Sequence, residues 1–134
     1  MATPYAMVMV SAQAAPTPPP DVPPAPTNVV VTDNMGVGDY TCQSPGSNIW
    51  TAAATATWDS LPGGYGITAI TVRWYFDADL KAIHTLGTAV TTDNSPVRVN
   101  ETGLSHDWVA DVTYTNGAGV GPIGEGTYTQ PTPC

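Results

Sequence analysis

The stretch Leu104-Ser105-His106-Asp107-Trp108-Val109-Ala110-Asp111-Val112-Thr113-Tyr114-Thr115-Asn116-Gly117-Ala118-Gly119-Val120-Gly121-Pro122 decides how this chain is read. Extended backbone sends successive side chains to opposite faces, so Trp108, Ala110, Val112 and Tyr114 share one side while Val109, Asp111, Thr113 and Thr115 share the other. That period of two predicts a strand with one face in a core and one in water. Leu104, placed just ahead of it, is expected to join the core. Asn116-Gly117 suits positive φ and predicts a turn, and the glycine-rich run to Gly121-Pro122 leads into a last extended segment.

Two more segments alternate in the same way. Ile49 to Trp58 places Trp50, Ala52, Ala54, Ala56 and Trp58 on one side, and Ile67 to Phe76 places Ile70, Val72, Trp74 and Phe76 on one side. Leu61 to Gly66 is the turn between them, with Gly64, Tyr65 and Gly66 at its exposed tip. Thr27–Thr32 predicts a first strand, Ala82–Leu86 a short one, Thr88–Thr92 and Val97–Val99 two more, and Ile123–Gln130 the last. Asp33–Asn48 reads as an insertion able to carry its own hairpin, with Cys42 inside it.

Composition supports sheets over helices. Apolar residues make up 42% of the 134 residues, yet charged residues only 10%, so Thr, Ser, Asn, Gly and Pro must build much of the surface. Arg73, Lys81 and Arg98 stand against eleven acids, for a net charge of −8. A phosphate-binding surface needs clustered Lys and Arg, so nucleic acid and anionic membrane are both poor partners. No apolar run reaches the length of about 18 residues that spans a bilayer.

Residues 1–26 differ from the rest and hold eight of the fourteen prolines: Pro4, Pro16, Pro18, Pro19, Pro20, Pro23, Pro24 and Pro26. Such a run favours polyproline II, which from Pro16 to Pro26 would reach about 30 Å. Ahead of it, Tyr5 to Val10 is short, apolar and strand-forming, with Met7, Val8 and Met9 at its centre. Two readings compete. Ala12-Gln13-Ala14 has the small-x-small form of a signal cleavage site, but no Lys or Arg precedes the apolar core. Alternatively the segment is an assembly arm, an extended strand that adds to a neighbouring subunit.

The leucine, the aromatic four residues on, the alternating positions and the Asn116–Pro122 run together resemble the end of a fibronectin type III domain, from the turn into strand F to the start of strand G. The proline-led approach to Thr27 and the pattern of segments B and C extend that resemblance over residues 24–132. The family usually carries tyrosine at the place of Trp108, whose indole puts its donor elsewhere. The resemblance implies an all-β chain, a fibronectin type III-like antiparallel β-sandwich over 27–134 with an extended Pro-rich N-terminal arm over 1–26. Its core would hold Trp58, Ile70, Val72, Trp74, Leu104, Trp108, Ala110, Val112 and Tyr114. In that topology the A–B connection lies at the pole where strand G ends, so Cys42 and Cys134 are expected to bridge there. Asn116, Gly117, Gly119 and Gly121 are expected to form an exposed loop at the other pole.

Chemistry finds little support. Ser105, His106 and Asp107 are neighbours in sequence and cannot form a triad. Asp77-Ala78-Asp79 lacks the rest of a calcium loop, and the glycines after Asn116 precede no helix. No enzyme activity, metal or cofactor is expected. Asn100-Glu101-Thr102 is a formal glycosylation sequon, relevant only to a eukaryotic secreted chain. Trp50, Tyr65, Tyr75 and Tyr128 are candidates for edges or tips, where a flat ring can stack on sugar or on another subunit.

Small sandwiches with an extended arm look like accessory proteins of tailed-bacteriophage virions. The expectation is therefore a structural virion subunit, in a capsid-decorating or minor tail role, whose partners are other virion proteins and copies of itself. Its arm would dock through Tyr5, Met7, Val8, Met9, Val10, Pro18, Pro19 and Pro20, and its loops would be free for host-surface glycan. The alternative is a secreted bacterial module serving as a carbohydrate-binding accessory or spacer.

Overall fold

The computed structural model describes residues 21–34, 41–43 and 48–134. The assembly-arm residues Tyr5 to Val10 and Pro18 to Pro20 lie outside these. Among the described residues the chain is all strand and turn: β1 (Val30–Asp33), β2 (Thr41–Cys42), β3 (Trp50–Ala52), β4 (Ala54–Thr57), β5 (Ala69–Phe76), β6 (Asp79–Leu86), β7 (Thr92–Asn94), β8 (Arg98–Glu101), β9 (Ser105–Asn116), β10 (Gly119–Val120) and β11 (Gly124–Pro131).

Every pairing is antiparallel. One layer runs β6-β5-β9, with β9 flanked on its far side by β10 and then β11. The other layer consists of β1-β4-β7 and β2-β3-β8, which are joined because β3 and β4 are consecutive about Ala53. At that joint Ser95, between β7 and β8, donates its N–H to the Ala54 carbonyl and accepts the Ala54 N–H on Oγ, each at 2.8 Å. The strand therefore jogs with both Ala54 backbone groups paired.

The inward positions of three strands fill the space between the layers. Trp50, Ala52, Ala54, Ala56 and Trp58 from β3–β4, Ile70, Val72, Trp74 and Phe76 from β5, and Trp108, Ala110, Val112 and Tyr114 from β9 are all buried. Small alanines on one layer face large indoles on the other, so the layers interdigitate. The Trp74 and Trp108 rings meet edge to face with centroids 5.9 Å apart, and Phe76 tilts against Trp108 at 4.6 Å.

Several elements differ from the expectation. Leu104 is not core: it is 84% exposed, because β9 begins one residue later and Leu104 sits at a tip where its carbonyl takes the Thr132 N–H. Thr88–Thr91 is a connection with a turn closed by Val90 N–H to Gly87 O, and the strand instead runs Thr92–Asn94. Asp93 is drawn into strand because its carboxylate serves two partners in the opposite layer. β6 starts three residues earlier than expected, at Asp79, across a two-residue turn in which Asp77 and Ala78 both have positive φ. Its pairing with β5 shifts between Trp74 and Tyr75, leaving Lys81 as the extra residue.

The proline lead-in is part of the body from Asp21 onward. Pro23 and Pro26 are buried, and the segment runs alongside residues 121–126, which lead into β11, so closely that three glycines are required. A Cβ on Gly121 would stand 2.2 Å from the Pro23 carbonyl oxygen, and one on Gly124 would stand 2.4 Å from that of Pro26. A Cβ on Gly126 would stand 2.9 Å from Val29.

Candidate functional site

The sandwich has two differently built poles. At one, Cys42 and Cys134 form a disulfide, with Cα atoms 5.1 Å apart and 92 residues of separation. The C-terminal segment is thereby fastened to β2, the short strand paired with β3. Beside it lies a charged group. His106 Nδ1 is 2.5 Å from an Asp77 carboxylate oxygen, and its Nε2 is 2.5 Å from the Thr102 carbonyl and 3.7 Å from Glu101. The ring stacks on Phe76 at 4.8 Å and tilts against Trp50 at 5.3 Å. Burial opposes charge on His106, but the Asp77 and Thr102 hydrogen bonds and the Asp77 and Glu101 charges outweigh it. The imidazole is held above its ordinary value. Asp77 also accepts the Asp107 N–H at 2.9 Å, so one carboxylate ties the β5–β6 turn to the start of β9.

At the opposite pole Asn116 is a clamp. Its Nδ2 donates to the Asp21 carbonyl at 2.7 Å and to the Tyr65 carbonyl at 2.9 Å, and its Oδ1 takes the Ala118 N–H. Asn116 and Gly121, expected to be exposed, are buried for this reason and because Pro23 packs on Gly121. Gly64, Gly66 and Gly117 are exposed, while Tyr65 and Gly119 are half-buried. The chain thus reaches the body at a fixed point, on the end opposite the disulfide.

Between the layers run two polar ties. Trp108 Nε1 donates to Gln130 Oε1 at 2.8 Å, and Gln130 Nε2 donates to the Ala53 carbonyl at 2.9 Å. Trp74 Nε1 donates to an Asp93 oxygen at 2.8 Å, the same oxygen lying 2.6 Å from His84 Nδ1. Sequence reading missed both Gln130 and Asp93. The parity of β11 was the available signal for Gln130, since Gly124, Gly126, Tyr128 and Gln130 share the inward face.

The outer face of β11-β9-β5-β6 is laid out in rows of cross-strand partners. Thr113, Thr71 and Thr85 form one row, Glu125, Asp111, Arg73 and Ile83 the next, and Thr127, Val109, Tyr75 and Leu80 a third. Tyr75 lies on this face, half-buried, and Tyr128 is half-buried against the core. Trp50, expected at an edge, is fully buried with Nε1 donating to the Gly103 carbonyl.

Catalytic geometry does not assemble from the sequence candidates. Ser105 and Asp107 alternate with His106 along β9 and project from the other face. Both nitrogens of His106 are engaged by a carboxylate and a carbonyl. Among the described residues no three His, Cys, Asp or Glu side chains are placed to hold a metal ion, and no helix is long and apolar enough to cross a membrane. Asn100 of the sequon is exposed, its Oδ1 accepting from Gln43.

No family model and no curated protein matches the sequence. Among solved structures the chain is similar to the third fibronectin III domain of the human KIAA0343 protein, at 17% identity and a TM-score of 0.53, over 92% of this chain and 94% of that one. The likeness is one of fold. With the antiparallel two-layer architecture, it makes this chain a fibronectin III-like β-sandwich.

Proposed function

We propose that this protein is a non-enzymatic structural subunit of a tailed-bacteriophage virion, as capsid decoration or a minor tail component. It docks on neighbouring subunits through its N-terminal arm, Tyr5 to Val10 chiefly, and carries its sandwich outward. The observation that favours this reading is the anchorage of the lead-in. Asn116, Gly121 and Gly124 fix Asp21–Pro26 to one pole, so whatever holds the preceding residues also sets the body's orientation.

Deleting residues 2–15 tests it. The shortened chain should keep its fold, seen as unchanged tryptophan fluorescence and cooperative unfolding, and fail to enter particles. Normal incorporation would rule the arm out.

The Cys42–Cys134 bridge favours a second reading, a secreted bacterial accessory or spacer module, since such bridges persist in oxidising compartments. That chain would be monomeric and cleaved near Ala14 or Ala15.

A further inference from the structure

β6 is the outermost strand of its layer, and among the described residues it pairs only with β5. The register shows which of its backbone groups are spent. Asp77 N–H donates to the Asp107 carbonyl at 2.8 Å, and these two residues continue the β5–β9 register as direct partners. Backbone groups alternate sides along an antiparallel strand, so the odd-numbered residues of β5 bond to β9 and the even-numbered ones to β6. Ala82, His84 and Leu86, opposite Trp74, Val72 and Ile70, therefore bond inward to β5. The N–H and C=O groups of Ile83 and Thr85 point away from the sheet, and both residues are exposed. Other edges offer less. Beside residues 121–126 the lead-in already occupies the approach to β11, and β1, β2, β7 and β8 have four residues or fewer. Lys81, at the shift in register, blunts the start of β6 but leaves Ala82–Leu86 as an open ladder.

We propose that Tyr5–Val10 of a second copy of this chain adds to β6 at this edge as a further strand. The inference rests on the arm reading above and names the surface that the arm takes. Tyr5–Val10 contains no proline, so every N–H is available to a ladder, and its six residues match the five of Ala82–Leu86 in length. Residues 1–20 hold no Asp, Glu, Lys or Arg, so the arm meets Asp79 and Lys81 without like-charge conflict. Alternation puts Tyr5, Met7 and Met9 on one side and Ala6, Val8 and Val10 on the other. One of these sets continues the outer face beside exposed Leu80 and Ile83. The place where the described chain begins decides whose arm it is. Asp21 is held at the pole of Asn116, and Leu86 ends β6 at that same pole, since Leu86 lies opposite Ile70 and Ile70 opposite Tyr114. Residues 11–20 reach about 31 Å as polyproline II. An arm folded directly back on its own β6 would bring Val10 to Leu86 and run parallel to that strand. Every pairing in the body is antiparallel, and an arm arriving from another copy is free to take that direction.

The test is hydrogen exchange of the isotope-labelled full chain, read amide by amide. Exchange at Ile83 and Thr85 should slow about tenfold or more as protein concentration rises, because only an incoming strand covers those two N–H groups. Thr85→Pro removes an outward N–H and leaves the bonds to β5 in place. Val8→Pro breaks the arm strand without touching the body. Neither variant alone should show slowing that depends on concentration. In a mixture, unlabelled Thr85→Pro supplies an arm and labelled Val8→Pro an edge, so slow exchange should return at Ile83 and Thr85 of the latter. Protection that ignores concentration would place the arm on its own chain and overturn the proposal. Absence of protection in the full chain, or of rescue in the mixture, would overturn it too. Particle entry separates this from the arm reading. If Thr85→Pro enters particles normally while the chain lacking residues 2–15 does not, the arm stands and β6 is not its dock.

Discussion

Trp108 and Gln130 are joined by a hydrogen bond of 2.8 Å inside the core, and Gln130 passes the connection on to the Ala53 backbone of the opposite layer. Gln130 is fully buried, and its amide matches one donor with one acceptor. Gln130→Leu strands the Trp108 indole N–H, while the Ala53 carbonyl keeps the Asn34 N–H. An orphaned buried group costs about 1–3 kcal/mol, and a loss of that size is expected in urea unfolding.

The tryptophans should differ among themselves. Trp74 and Trp108 have paired ring nitrogens, whereas the buried Trp58 Nε1 has no partner. Replacement by phenylalanine should therefore cost least at position 58. At 74 and 108 it leaves Asp93 or Gln130 short of a donor, adding about 1–3 kcal/mol to the loss of ring contacts.

The close approach of the lead-in to residues 121–126 depends on missing side chains. Gly121→Ala puts a methyl 2.2 Å from a backbone oxygen, and neither partner is the flexible end of a side chain. Overpacking of this kind costs about 1–3 kcal/mol. Gly63→Ala, with nothing within 4 Å, should be neutral in the same thermal melt.

His106 gives the fold a pH dependence with a definite sign. Its value in the folded chain lies above the ordinary 6.5, so the charged form is preferred in the native state. The stabilisation is complete below about pH 6.5 and is lost as pH rises through the folded value. Asp77→Asn can still accept the Asp107 N–H but removes the anion. It should lower the His106 titration seen by NMR and flatten the decline of thermal midpoint with pH.

Breaking the Cys42–Cys134 bridge frees both the C-terminal segment and β2. In the chain-entropy model a loop of this length is worth about 4–5 kcal/mol, and losses of 2–5 kcal/mol are usual. The Cys42→Ser, Cys134→Ser double variant should melt at a lower temperature than the oxidised chain, with the tryptophan core still formed.

Where one face of a strand is apolar and the other polar, the structure was legible from the letters. The inward sets of β3–β4, β5 and β9 are of this kind. It was not legible where a polar residue works inside. Asp93 and Gln130 read as loop or surface but bridge the layers, and Asn116 reads as a turn residue but holds two carbonyls from distant segments. Leu104 misled in the opposite sense, since a leucine at a tip has no layer to enter. The burial of Asp111 on the outer face was hidden by simple alternation, which assigns outward residues to water.

The central claim is that neighbouring subunits hold this sandwich by its N-terminal arm, Tyr5 to Val10 chiefly. Intact-mass analysis of purified particles and of culture medium tests it most directly. The account predicts a chain retaining residues 5–20, two hydrogens lighter than the dithiol form and co-purifying with particles. A free monomer in the medium that begins near Ala15 would contradict it.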